Sequence, residues 1–520
     1  MAQGQAVSNP DDLADLTTAA TEVMEVSDAP SVAPTPPLSQ SEVHTIILSL
    51  MLTMFLSALD QTIVATALPT IGRQFGDVSD LSWVITAYLL SSTAVAPVYG
   101  TLSDIYGRRA MIIVSLALFL VGSVLCALAP NLLVLILARA LQGIGGGGIL
   151  PIVQTVISDI VTPRERGQYQ AYFSGVWVSA GIGGPILGGV FAEHLHWSVI
   201  FWINVPLGLL SLALLLPKMG KIPTFHRRRK LDWLGGVLLM ASAVVFLLVL
   251  TWGGSRYAWA SPTILAMIGS AVVLAFAFVW HARTTDEPFL PIPLLGGSVV
   301  PYAMAAGACA IGTMIGLTVH MPLYYEVVYH LSASEAGLAL IPIVAVSVPG
   351  AWIAGRAMMY TKHYKWAAIV GASLATAAAI AMAVLLPMPL WALLSLLAVM
   401  ALGLGTCFPV SVVSIQNAVA RAQVGTATGA MNFFRSLMAS FTVAVFTTIL
   451  LTALGGNITI GAEQHVAGAH GIAAADMIAA FRYVFVGAAV LLASALIFLL
   501  IMEERPLAGP AKPAVTEFSE

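Results

Sequence analysis

Fourteen apolar runs, each long enough to cross a bilayer, constrain this chain more than any other feature of it. A helix needs about 20 mostly apolar residues to span the hydrocarbon core. Stretches bounded by charges and turn residues reach that length at 44–68, 81–101, 110–129, 132–158, 168–192, 199–217, 232–252, 261–281, 300–326, 335–359, 366–386, 390–418, 424–454 and 479–501. Inside a bilayer every backbone amide must find its partner within the segment, so runs of this length fold as helices. Only 9% of the residues are charged, against about 25% in a soluble domain. The fold class read from the chain is therefore an all-α polytopic membrane protein. Cys126, Cys309 and Cys407 lie far apart in apolar stretches and read as small core residues, not as a disulfide framework or a metal site. Neither metal nor cofactor is expected.

The placement of Lys and Arg sets the orientation. With the N-terminus inside, 17 of the 22 basic residues fall on the inner side and 3 on the outer. Both termini are then cytoplasmic, and the location is the plasma (inner) membrane. Residues 1–43 hold seven acids and no Lys or Arg, with a Pro-rich run, and read as a disordered cytoplasmic tail. Six spans occupy 44–217. The densest basic stretch, "KMGKIPTFHRRRK", lies within a cytoplasmic linker at 218–231. Two further spans fill 232–281, a connector 282–299, six more spans 300–502, and a second tail 503–520, also read as disordered. The basic run is short and tied to the membrane, so it meets anionic lipid and not nucleic acid.

Two of the 22 basic residues, Arg139 and Arg435, lie inside the membrane, away from the span ends. An arginine keeps its charge in a protein. Arg139 sits about seven residues, roughly 10 Å, below the outer end of the fourth span. Asp60, in the oppositely directed first span, lies at similar depth. Either charge alone in hydrocarbon costs several kcal/mol, so the two are expected to pair, and intramembrane charges are functional by default. The proton affinity of such a carboxylate depends on how near the cation sits and how wet the site is. Asp60 is thus the candidate proton carrier and Arg139 its tuner, with Gln142 one turn further on the same face. A fixed pair that only holds the bundle together is the alternative.

Arg435 lies near mid-bilayer with no acid at its depth. It faces a water-filled cavity, binds an anionic group of a substrate, or bonds to carbonyls of a broken helix. At the outer end of the ninth span, "VHMPLYYEVVYH" gathers His320, Tyr325 and Glu326 as a binding or gating candidate, although a lone His is usually structural. Glycines crowd the fourth and fifth spans, and Pro185 removes a backbone bond and is expected to kink its helix. "GTLSDIYGRR" orders Gly100, Asp104, Gly107, Arg108 and Arg109 at the cytoplasmic end of the second span, where Gly100 permits close contact and Gly107 a tight turn.

These strings together resemble the fourteen-helix drug:proton antiporters of the major facilitator superfamily. "GTLSDIYGRR" is similar to the superfamily loop motif, "LDQTIVATALPTI" to the first-helix motif, "LILARALQGIGGG" to the fourth-helix motif and "AGIGGPILGG" to the fifth-helix antiporter motif; "HWSVIFWINVPLG" is typical of the same branch. The resemblance implies two six-helix bundles around a central cavity, with two helices inserted between them. It also implies alternating access and export of a small molecule against protons, with Arg139 in proton coupling. Asp104 and Arg108 would form a cytoplasmic charge lock; Gly184, Pro185, Gly188 and Gly189 would carry the antiporter bend. Departures are Ala180 for the first glycine of the fifth-helix motif, Trp197-Ser198 for Trp-Arg, Met359 for an acid in the second copy of the loop motif, and Glu326 for a Gln.

The reading is a proton-coupled antiporter exporting small amphipathic compounds. Its partners are the small-molecule substrate, protons and the lipid bilayer, with a periplasmic adaptor protein as an open option. The alternatives are an importer of a polar solute and a non-transporting membrane sensor on a transporter scaffold. Without H-E-x-x-H, G-x-S-x-G or a spaced Cys/His set, an enzyme is not expected.

Overall fold

The computed structural model describes residues 39–76, 80–220, 230–254, 256–454 and 473–507. The acidic tail up to residue 38, the linker segment 221–229 and the stretch from 508 onward lie outside the described residues. Among the described residues fourteen helices are long and apolar enough to cross a membrane, as the run lengths require. They are α1 Gln40–Phe75, α2 Trp83–Tyr106, α3 Arg108–Ala127, α4 Leu132–Ile160 and α5 Pro163–His194. Then follow α6 Val199–Met219, α7 Trp233–Trp252, α8 Pro262–Thr284 and α9 Val300–Tyr329. The last five are α10 Ser334–Tyr360, α11 Lys365–Leu385, α12 Leu390–Ala418, α13 Val424–Ala453 and α14 Ala474–Ile501. The chain is a multi-pass membrane protein of two six-helix bundles plus an inserted pair.

Local chemistry places the ends. The Asn131 side chain accepts from Val134 N at the start of α4. Ser261 and Pro262 open α8, and a Thr162–Glu165 capping box opens α5. Between α2 and α3 a single residue, Gly107, makes the turn at φ +89°, a left-handed value that costs glycine nothing. Two spans are interrupted: α6 pauses at Ile203, and α10 is built from Ala333–Leu338, Ile341–Ala345 and Ser347–Tyr360. Helix α5, by contrast, runs unbroken through Pro185.

Within the first bundle α4 packs on α2 and α3, and α1 on α5 and α6; within the second α9 packs on α12, α13 and α14, and α11 on α12 and α14. The two bundles meet along two seams, α2 against α13 and α5 against α10. The inserted α7 and α8 pack on each other, and α7 leans on α2 and α13 beside the first seam. Asp232 anchors this pair. Its carboxylate caps α7 at Gly235 N, takes a hydrogen bond from Phe289 N and meets His281 Nε2 of α8 at 2.8 Å.

The second tail differs from expectation over its first residues. Glu503 N donates to Ser298 O, Lys365 N to Glu504 Oε1, and Leu507 is buried. Residues 503–507 therefore hold to the loops of the second bundle through main-chain bonds that hydropathy does not register.

Candidate functional site

Helices α1, α4 and α6 bring four polar side chains to one depth in the first bundle. Arg139 Nη1 donates to Asp60 Oδ2 at 2.6 Å and to Gln142 Oε1 at 2.7 Å. Gln142 Nε2 returns a bond to Asp60 Oδ1 at 2.9 Å, and Asn204 Nδ2 donates to that same oxygen at 2.9 Å. Arg139 Nε donates to Val84 O, and its guanidinium lies 4.3 Å from the centroid of the Tyr88 ring and 5.6 Å from that of Phe201. Neither charged side chain is more than 1% exposed.

The network closes on itself. The Asp60 carboxylate takes three donors, and the cation is stacked on aromatic faces. Sequence reasoning placed Asp60, Arg139 and Gln142 together and missed Asn204, Ser123 and Tyr88. Asn204 Nδ2 also donates to Ser123 Oγ, and Ser123 Oγ donates to Phe201 O. A buried, hydrogen-bonded ion pair is stable only as a unit: loss of one partner costs about 3–5 kcal/mol. Among the described residues Asn204 Oδ1 is buried without a partner, and the carboxylate itself is shut off from solvent.

A second polar group lies where the bundles meet at the face bearing the basic loops. Asp104 accepts from Gly425 N at 3.0 Å, and from Thr426 N at 2.7 Å and its hydroxyl at 2.8 Å. These are the first amides of α13, orphan donors at the positive end of a helix, so a carboxylate suits them. Arg108 bridges Asp104 at 2.8 Å and Asp159 at 3.0 Å. Gly100 is required here because a Cβ would collide with Gly425 O. Arg109 instead turns outward and donates to Gly220 O. Deeper in, Gln154 Oε1 accepts from Asn432 Nδ2 at 2.8 Å, which ties α4 to α13.

The α5–α10 seam is built differently. Gly167 and Gly355 stand back to back, and Arg164 Nη1 donates to the carbonyls of Met358 and Thr361 at the end of α10. Gly184 and Gly188 press on α1, where a Cβ would strike the Thr62 and Thr66 hydroxyls; Gly189 meets nothing, and Pro185 is exposed. The glycines serve helix contact.

His320, Tyr325 and Glu326 do not converge. His320 is buried between Gly316 O and the Thr447 hydroxyl. Tyr325 is fully buried, its hydroxyl donating to Ala339 O, and Glu326 is half-buried. Successive helix positions point about 100° apart, so neighbours in sequence face different helices. Arg435 donates to Ser411 Oγ at 2.7 Å.

Comparison with known proteins agrees with this architecture. The model of the Major Facilitator Superfamily matches residues 50–443. An MFS-type efflux pump of a Fusarium species is 34% identical over 429 residues, covering 80% of this chain and 75% of that protein. A multidrug transporter protein of Bacillus subtilis, MdtP, is 31% identical over 422 residues, covering 81% of this chain and 77% of that one. Among solved structures, the human organic anion transporter TETRAN aligns with a TM-score of 0.59 at 16% identity, covering 86% of this chain and 99% of its own. The proton:xylose symporter XylE aligns with a TM-score of 0.57 at 15% identity, covering 89% and 96%. At such identities the two structures speak for the fold alone.

Proposed function

The chain belongs to the major facilitator superfamily, and within it we propose a proton-coupled antiporter that exports small amphipathic compounds from the cytoplasm by alternating access. Both termini and the basic loops lie on the cytoplasmic side of the plasma membrane in this reading. The relatives named as efflux pump and multidrug transporter support the export of drug-like molecules.

The observation that carries proton coupling is the buried Asp60–Arg139 pair, 2.6 Å apart and shut off from water. Around it the bundles are joined at the basic face by Asp104 on α13 and Arg164 on α10. That arrangement is what an outward-facing state requires. A proton arriving from the outer side is taken by Asp60 and weakens its hold on Arg139. Unlocking the two seams opens the cytoplasmic side, where release of that proton restores the pair. Only a group whose environment differs between the two states can link them in this way.

The test uses everted vesicles with an imposed proton gradient and a panel of amphipathic dyes. Uptake that an uncoupler abolishes, with proton release on substrate addition, is the expected result. Uptake insensitive to the uncoupler would refute the coupling, and absence of uptake for the whole panel would refute export.

A further inference from the structure

The first bundle neutralises its buried cation and the second does not. Arg139 faces a carboxylate at 2.6 Å. Arg435, about eleven residues into α13, has a neutral partner, the Ser411 hydroxyl at 2.7 Å. Its Nε is shut off from solvent and meets no acceptor among the described residues. Nor does it form an ion pair among the described residues.

The helices around it hold no acid that could answer. Helix α12 has no charged residue, and α13 has none besides Arg435. The acid of α9 is Glu326, which lies about 28 Å along the axis from Gly307, the α9 residue nearest the guanidinium. At Gly307 a Cβ would come within 3.2 Å of Nη2 and 2.8 Å of Ser411 Oγ, so the missing side chain lets both groups pack against the backbone of α9. Phe434 and Leu437 adjoin Arg435 on α13, and Phe408 precedes Ser411 by one turn; all three are partly buried.

A permanent cation in a membrane is costly unless it is paired or hydrated. One kept with a neutral hydroxyl, an Nε without an acceptor and an apolar surround is matched to an anion carried on an apolar body. The geometry points to a substrate subsite in the second bundle, formed by Arg435 and Ser411, that takes the carboxylate-type end of an amphipathic substrate. The inference rests on the exporter reading for its physiological sense, while binding itself needs no gradient. The planar guanidinium fork favours a carboxylate over a point acceptor.

The experiment measures energy transfer from protein tryptophan to pyrene probes, with the full chain purified in detergent. Pyrenebutyrate, its methyl ester and pyrenebutylamine share one apolar body. Wild type is expected to bind the carboxylate about tenfold tighter than the ester, the size of a charge-assisted bond. Arg435→Gln removes that preference while holding the ester and amine within about threefold. Arg435→Lys, which keeps the charge and loses the planar fork, weakens the carboxylate alone, and it decides the matter should Arg435→Gln fail to fold. No carboxylate preference in wild type, or equal losses for all three probes, overturns the subsite. Ester and amine uptake in everted vesicles reports separately on export, so either idea can fail while the other stands.

Discussion

Asp60 and Arg139 lie 79 residues apart in sequence and 2.6 Å apart in space, on helices that run in opposite directions. The pair joins α1 to α4 at a depth where no solvent reaches. In Asp60→Asn the amide keeps the shape and one acceptor oxygen but cannot carry the proton. Substrate-induced proton release in everted vesicles should fall to the level of empty vesicles while detergent-purified protein stays monodisperse. Arg139→Leu, which strands the carboxylate, should in addition lower stability by about 3–5 kcal/mol. Normal proton release from Asp60→Asn would remove this carboxylate from the mechanism.

Asn204 completes the site from α6. Its Nδ2 supports the charged carboxylate and also holds Ser123. Asn204→Ala deletes one of the three donors to Asp60 and the tether to Ser123. Substrate-driven proton release should fall, with a stability loss of about 1–3 kcal/mol. Release and stability equal to wild type would reduce Asn204 to a packing residue.

The depth argument that pairs Asp60 with Arg139 works because helix rise converts residue count into ångströms. Applied to α6 it also selects Asn204, five residues below the outer end in the stretch "FWINVPLG", so that partner was within reach of the sequence. Asp104 was legible, through the resemblance, as part of a charge lock with Arg108. Its partners on α13 are main-chain amides of Gly425 and Thr426, more than 300 residues away, and no side-chain pattern encodes that pairing. The Tyr325–Glu326 grouping failed to converge because helical neighbours diverge, and Pro185 left α5 unbroken.

Asp232 supplies a pH dependence outside the spans. Burial pushes its carboxyl up, but the Gly235 amide, His281 and the Phe289 amide together hold it below the usual carboxylate range. A depressed acid stabilises the fold above its unfolded value and loses that contribution as pH falls through the folded one. Thermal unfolding in detergent should therefore show a stability loss as pH falls below about 4. Asp232→Asn should flatten that part of the curve. An unchanged slope in the variant would clear Asp232 of the role.

Gly100 sets how closely α2 meets α13. A side chain there would drive into Gly425 O, so Gly100→Val should hold the cytoplasmic seam apart. Gln416, now 4% exposed and bonded to Gln154 O, reports on it. With Gln416→Cys as the sole cysteine, maleimide labelling should run about tenfold faster in Gly100→Val, equivalent to about 1.4 kcal/mol against the closed state. Equal labelling rates would mean that the seam closes without this contact.

The two seams are closed by opposite charges. On one, the Asp104 carboxylate sits on the N-terminal amides of α13; on the other, the Arg164 guanidinium sits on carbonyls at the C-terminal end of α10. Each sign matches its end of the helix dipole. Met359 stands four residues after Gly355, as Asp104 stands four after Gly100, so this seam closes without the acid. Arg164→Ala should loosen it and raise cytoplasmic labelling about threefold to tenfold, since such contacts contribute about 0.3–2 kcal/mol. Met359→Asp adds an acid facing the start of α5 and should do the reverse, slowing turnover by over-stabilising the closed state. Combined with Arg164→Ala, it should bring labelling back toward wild type. If Met359→Asp speeds labelling instead, the α5–α10 seam does not accept a carboxylate, and the likeness between the two seams stops at their glycines.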